Sequence, residues 1–239
     1  QAFITSEFAT LGSNLVYVAA GRVSLSSGPP GSAASKFTFN DVADLGRLGD
    51  PITQASGLIR KVILAKYRNQ TLGSFVGGVD ETYLPGRQLK LAAGEYFRQS
   101  AVQRSQMVAV IGWKVNTELF KSAQAVGKEI DVSGKKVKVI GVLAERGGGI
   151  SGAQDENSIV FVPITTAVKI TGIKNPAMIM VRTVDAPGTT QAAKKVADYF
   201  YRRHLSDDDF TVLEPKELLA SINSFLGAIT AALSGIAAI

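Results

Sequence analysis

Apolar positions in this chain fall into short runs broken by Gly, Pro, Ser and Asp, the punctuation of a sheet-rich protein. Strand-like runs occupy 15–19 (LVYVA), 52–58, 61–67 and 70–79. In the 61–67 run Val62, Leu64 and Lys66 share one face. A second set lies at 107–111, 128–132, 136–142 and 159–162, and a third at 178–182 and 210–213. The turn-prone pair Ser133-Gly134 makes a hairpin of 128–132 and 136–142. Helical spacing covers 41–48, capped by Asn40 or Asp41 and ended by Gly49-Asp50-Pro51, and then 112–120 and 189–204. The order β-α-β-β, a β-rich block, then β-α-β predicts an α+β chain. Its expected organisation is a discontinuous βαββ…βαβ subdomain from 13–85 and 163–214, with a β-rich subdomain inserted at 86–162.

The ends differ from the middle. Residues 221–239 (SINSFLGAITAALSGIAAI) carry no charge and are dense in Gly, Ala and Ser. A membrane-spanning helix needs about 20 mostly apolar residues, and small residues let such helices approach closely. Pro215-Lys216-Glu217 is a helix start, with the acid in the first turn. Residues 1–12 carry apolar side chains at positions 3, 4, 8 and 11, closed by Gly12-Ser13-Asn14. The expectation is that 1–12 leaves one transmembrane span and 215–239 enters the next. The alternative is a soluble binding or sensing module whose C-terminal helix is buried.

Composition narrows the chemistry. With no cysteine, disulfides, thiolate catalysis and Cys-type zinc sites are excluded. The net charge of +6 is scattered, and its densest group, Arg60, Lys61, Lys66 and Arg68, is interrupted by Val62, Ile63, Leu64 and Ala65. No basic stripe with interleaved aromatics exists, so nucleic acid is not an expected partner; attraction to anionic lipid is the more modest reading. His204, the only histidine, follows Arg202 and Arg203 at a helix C-terminus and reads as a dipole partner. A hydrolase would have to work through His204, and no Gly-x-Ser-x-Gly elbow accompanies it. Asp207-Asp208-Asp209 and Asp155-Glu156 read as polar turns, since neither sits in a calcium-loop pattern. Gly147-Gly148-Gly149 lacks the Gly-Lys-Ser/Thr of a phosphate loop. No catalytic, cofactor or metal residue is therefore nominated.

The middle block, MVAVIGWKVNTELF (107–120), AVGKEIDVSGKKVKVIGVL (125–143) and IVFVPITTA (159–167), closely resembles the periplasmic domain of MacB-like ABC transporter permeases. LGSNLVYVAAG (11–21), DVADLGRL (41–48), GGVDETYL (77–84), GRQL (86–89) and RRHLSDDDFTV (202–212) match the same family in order. The basic stretch 60–68 and the glycine-rich 147–152 depart from its pattern. The resemblance implies a porter-like subdomain with a β-rich insertion, placed between the first two transmembrane helices of a permease. It implies a cell (inner) membrane protein with this domain on the periplasmic or extracellular side, and ATP hydrolysis on a separate ABC ATPase domain or subunit. The implied partners are that ATPase, a second permease copy and a periplasmic adaptor (membrane fusion) protein. The implied work is mechanotransmission in export, lipoprotein handling or signalling.

Overall fold

The computed structural model describes residues 14–22, 34–121, 123–146 and 155–214. Within them ten strands form one connected sheet: β1 (Leu15–Ala20), β2 (Ile52–Tyr67), β3 (Gln70–Val79), β4 (Leu91–Gly94), β5 (Val108–Ile111), β6 (Glu129–Val132), β7 (Lys135–Leu143), β8 (Ile159–Pro163), β9 (Met178–Thr183) and β10 (Phe210–Leu213). Helices are α1 (Phe39–Leu45), α2 (Tyr83–Gly86), α3 (Gln99–Gln103), α4 (Trp113–Phe120), α5 (Ile164–Thr171) and α6 (Gly188–Arg202). The strand order is β10-β1-β9-β2-β3-β8-β5-β7-β4, with β6 bridging β2 and β7.

β2 organises the sheet. Residues 52–58 pair with β9, and 59–67 pair with β3 in an uninterrupted antiparallel register. The sequence pattern suggested two strands with a break near Arg60; one strand of 16 residues forms instead. The strand continues because the Arg60 guanidinium stacks 4.5 Å over the Phe75 ring, so a charged residue can occupy a covered position. β2 and β3 turn tightly at Arg68, whose φ is +50°. The hairpin expected across Ser133-Gly134 is present: both residues take positive φ, the backbone that matches a two-residue turn to strand twist.

Among the described residues, three apolar clusters form the core. Odd-numbered β2 residues Ile59, Ile63 and Ala65 join Val76, Ile111, Ile130, Val139 and Val162 under α4 and α5. Gly78 permits this packing, because a Cβ there would meet the Ala167 Cβ of α5 at 2.3 Å. β1 and β9 contribute Val16, Val18, Ile179 and Val181 to a second cluster with Phe37, Leu45, Val196 and Phe200. Segment 83–106 covers the other sheet face, where Tyr83, Leu84, Val110, Phe161 and Met180 meet.

Two boundaries differ from the sequence reading. α1 starts at Phe39 with Thr38 as its cap, not Asn40 or Asp41. Asp41 is the third helical residue, and it and Thr38 satisfy each other's backbone N–H in a capping box. α6 ends at Arg202, so His204 lies in the following turn with φ +60°. β1 and β10 pair antiparallel, Tyr17 opposite Leu213, so Asn14 and Glu214 lie at one pole of the sheet. The helices expected at 1–12 and 215–239 and the 147–152 loop lie outside the described residues, apart from Arg146 and Asp155 at the flanks of that loop.

Candidate functional site

Three places concentrate charge. The first is inside the protein, at the base of segment 147–154. Asp155 accepts a hydrogen bond from the Asn157 amide and starts a short 3-10 turn over Glu156–Ser158. That turn aims the Glu156 carboxylate inward, where the side chain is only 11 % exposed. Arg87, which follows α2, donates from Nε (3.2 Å) and from its terminal nitrogen to Glu156 Oε1, and to the Tyr17 hydroxyl on β1 (2.6 Å). Arg146 donates to Glu156 Oε2 at 2.7 Å. The Arg146 amide also donates to Asn157 Oδ1, and Asn157 Nδ2 donates back to the Arg146 carbonyl.

Both flanks of 147–154 are thus clamped to each other and to β1 and the α2 turn. Burial works against charge on Arg87, but Tyr17, Tyr83 and Glu156 outweigh it and hold its guanidinium above the ordinary range. Burial pushes the Tyr83 hydroxyl up to about 12 and raises Tyr17 as well. Burial pulls Arg60 below its usual value; its Nε and one terminal nitrogen are buried without a hydrogen-bond partner. Each Glu156 oxygen is taken by a guanidinium, so the carboxylate serves as an electrostatic pin. Sequence reading placed Asp155-Glu156 in a polar turn. Asp155 makes that turn, but Glu156 is an internal ion, brought to an arginine 69 residues away.

A second hub ties α1 to α6. Asp41, 1 % exposed, pairs with Arg203 and accepts from the Tyr199 hydroxyl at 2.9 Å. The acidic run that follows α6 is divided among separate structural contacts. Asp207 accepts from Tyr201, Asp208 pairs with Arg22, and Asp209 pairs with Lys36 and accepts from Ser206. His204 is exposed, with its amide donating to the Tyr201 carbonyl. Among the described residues no three His, Asp or Glu side chains gather as a metal would require.

The third charged place is on the surface. The even-numbered β2 side chains emerge beyond the cover of 83–106, leaving Val62 69 % and Leu64 53 % exposed. They floor a concavity of about 680 Å³ walled by Lys66, Arg68, Gly73, Asp131, Ser133 and Lys136. The four basic residues singled out from sequence therefore part company. Arg60 is internal, Lys61 points to the other face and donates to the Thr171 carbonyl, and Lys66 and Arg68 rim the concavity.

A mixed α/β domain, dominated by its sheet and held by internal ion pairs, with both described ends at one pole, has the build of the extracytoplasmic domain of a permease, and comparison with known proteins bears this out. Residues 1–199 match the MacB-like periplasmic core domain, and the chain belongs to that family. The macrolide export ATP-binding/permease protein MacB of Chlorobium phaeobacteroides is 30 % identical over 221 residues, covering 90 % of this chain and 33 % of that protein. The pyoverdine export ATP-binding/permease protein PvdT of Pseudomonas aeruginosa is 26 % identical over 237 residues, covering 99 % of this chain and 35 % of that protein. This chain thus spans about a third of the length of these relatives. In fold it resembles the periplasmic region of MacB from Actinobacillus actinomycetemcomitans, with a TM-score of 0.78 at 19 % identity over 93 % of this chain and 98 % of that one. It also resembles the extracellular domain of the noncanonic ABC-type transporter YknZ from Gram-positive bacteria, at 0.68 and 22 % over 84 % of this chain and 100 % of that one. Among the described residues no helix is long and apolar enough to cross a membrane.

Proposed function

We propose that this domain transmits cytoplasmic ATP hydrolysis to the outside of the cell membrane as part of an ABC transporter permease. The observation that carries the reading is the family match over residues 1–199. The common pole of Asn14 and Glu214 supports it, because both described ends of the domain leave the sheet on the same side. A relative shift of those segments, acting on the adjacent strands β1 and β10, would tilt the sheet as a rigid body. In this reading the domain is not an enzyme; ATP is bound and hydrolysed on a separate nucleotide-binding domain or subunit. The work done is export, lipoprotein handling or signalling, with a second permease copy and a periplasmic adaptor as partners.

The proposed division keeps 13–85 and 163–214 as a porter-like subdomain and 86–162 as its β-rich insertion, with 1–12 and 215–239 as helices of the first two membrane spans. Support comes from the cluster that joins Val16 and Val18 to Ile179, Val181, Val196 and Phe200 across the two outer parts of the chain. Asn69, exposed at the tip of the β2–β3 hairpin, gives the test. In the full-length protein, Asn69→Cys should react with a membrane-impermeant maleimide in cells whose inner membrane is intact. Reaction only after that membrane is broken would refute the placement.

A further inference from the structure

We infer that the open face of the β2–β3 hairpin is a docking surface for an acidic, apolar segment of an extracytoplasmic protein. This deepens the proposed function and rests on it. The floor of the surface is Val62 and Leu64, both largely exposed on a strand whose neighbouring Ile63 and Ala65 side chains are buried on the opposite face. Across from Leu64 lies Gly73, where an added Cβ would meet nothing within 4 Å, so the floor is accessible from above. Phe75, opposite Val62, extends the apolar floor inward under the Arg60 guanidinium.

The rim decides the sign of the partner. Lys66, Arg68 and Lys136 line the concavity against a single carboxylate, Asp131. Asp131 already receives the Gly134 amide at 2.7 Å and stands 3.9 Å from Lys136. Lys66 and Arg68 have no carboxylate within ion-pair distance among the described residues; Arg68 lies 5.4 Å over the Tyr67 ring. An apolar floor inside a positive rim fits a segment that alternates apolar and acidic side chains.

Position decides between a protein and a lipid. Asn14, Glu214 and the start of β2 lie at one pole, since Leu15 and Gln54 flank the same residue, Arg182. From Gln54 the strand runs away from that pole to Tyr67, roughly 40 Å at a strand's rise per residue. A bilayer reached through the two chain ends is therefore remote from the hairpin tip, and anionic lipid is disfavoured as the occupant.

The test uses the full-length transporter in cells, with Val62→benzoylphenylalanine for photocrosslinking and Lys61→benzoylphenylalanine, on the opposite face of β2, as the control. The expected product joins position 62, and not 61, to an extracytoplasmic protein. Its crosslinked peptide carries net negative charge together with apolar residues. The combined substitutions Lys66→Glu, Arg68→Glu and Lys136→Glu, all at exposed positions, should lower the yield about tenfold. Four results would overturn the inference: adducts with phospholipid, adducts with a second copy of this chain, a crosslinked segment without negative charge, or no adduct from an actively transporting protein. The maleimide accessibility of Asn69→Cys is scored separately, so the proposed function stands or falls on its own result.

Discussion

Replacing Glu156 by Gln keeps the shape of the clamp and removes its only buried anion. The Arg87 and Glu156 side chains are 9 % and 11 % exposed, so the charge left on Arg87 has little access to water. Arg146, at 21 %, can turn outward and should recover part of its solvation. Breaking one side of a buried ion pair costs about 3–5 kcal/mol, a large share of the 5–15 kcal/mol that a folded domain commands. For a domain of this size that lowers Tm by roughly 6–20 °C. The assay is thermal unfolding of the Glu156→Gln chain, with amide hydrogen exchange at Arg146 and Asn157, the two residues that bond across the base of the segment. A paired replacement, Arg87→Met with Glu156→Leu, removes both charges and should regain most of the loss, since apolar pairs of like volume often equal buried ion pairs. A Tm for Glu156→Gln within about 2 °C of the parent, under 1 kcal/mol at this size, would refute the reasoning.

Other substitutions test other joints. Asp41→Ala removes the capping box and strips Tyr199 and Arg203 of their shared partner; urea unfolding should show a loss of about 2–4 kcal/mol. Gly78→Ala should cost about 1–3 kcal/mol by driving a methyl against Ala167. Gly73→Ala, facing open space, should melt like the parent. Burial sets the Tyr83 hydroxyl at about 12 in the fold against its ordinary 10. A raised folded value means this contribution is fully present below pH 10 and is lost as pH climbs through 12, because the unfolded chain ionises first. Stability should therefore fall by roughly 2–3 kcal/mol across that window, and Tyr83→Phe should flatten the fall in alkaline melts.

Much of the sheet was legible from the chain. Continuous apolar runs marked β1, β5, β8 and β9, and Ser133-Gly134 marked the β6–β7 hairpin, because those signals are local. The continuity of β2 was not, since only the long-range contact with Phe75 explains how Arg60 can sit in mid-strand. β4, α2 and α3 are too short to leave a periodic trace. The two ionic hubs were hidden for the same reason. Asp41 looked like a local cap, yet its other partners are Tyr199 on α6, 158 residues away, and Arg203 just past that helix. Glu156 looked like a surface turn residue, and nothing in its neighbours announces Arg87. Val62 and Leu64 could be placed on one face of a strand but not on its open side, because alternation tells which residues share a face but not which face is covered.

The claim that this domain carries motion from the membrane is tested most directly by locking its two ends together. In the full-length transporter, a disulfide engineered between segments 1–12 and 215–239 would hold those segments in one register. ATP hydrolysis and transport are then measured with the bond formed and after its reduction. The account predicts that hydrolysis continues in the oxidised protein while transport falls, and that reduction restores transport. Full transport with the disulfide formed would contradict it.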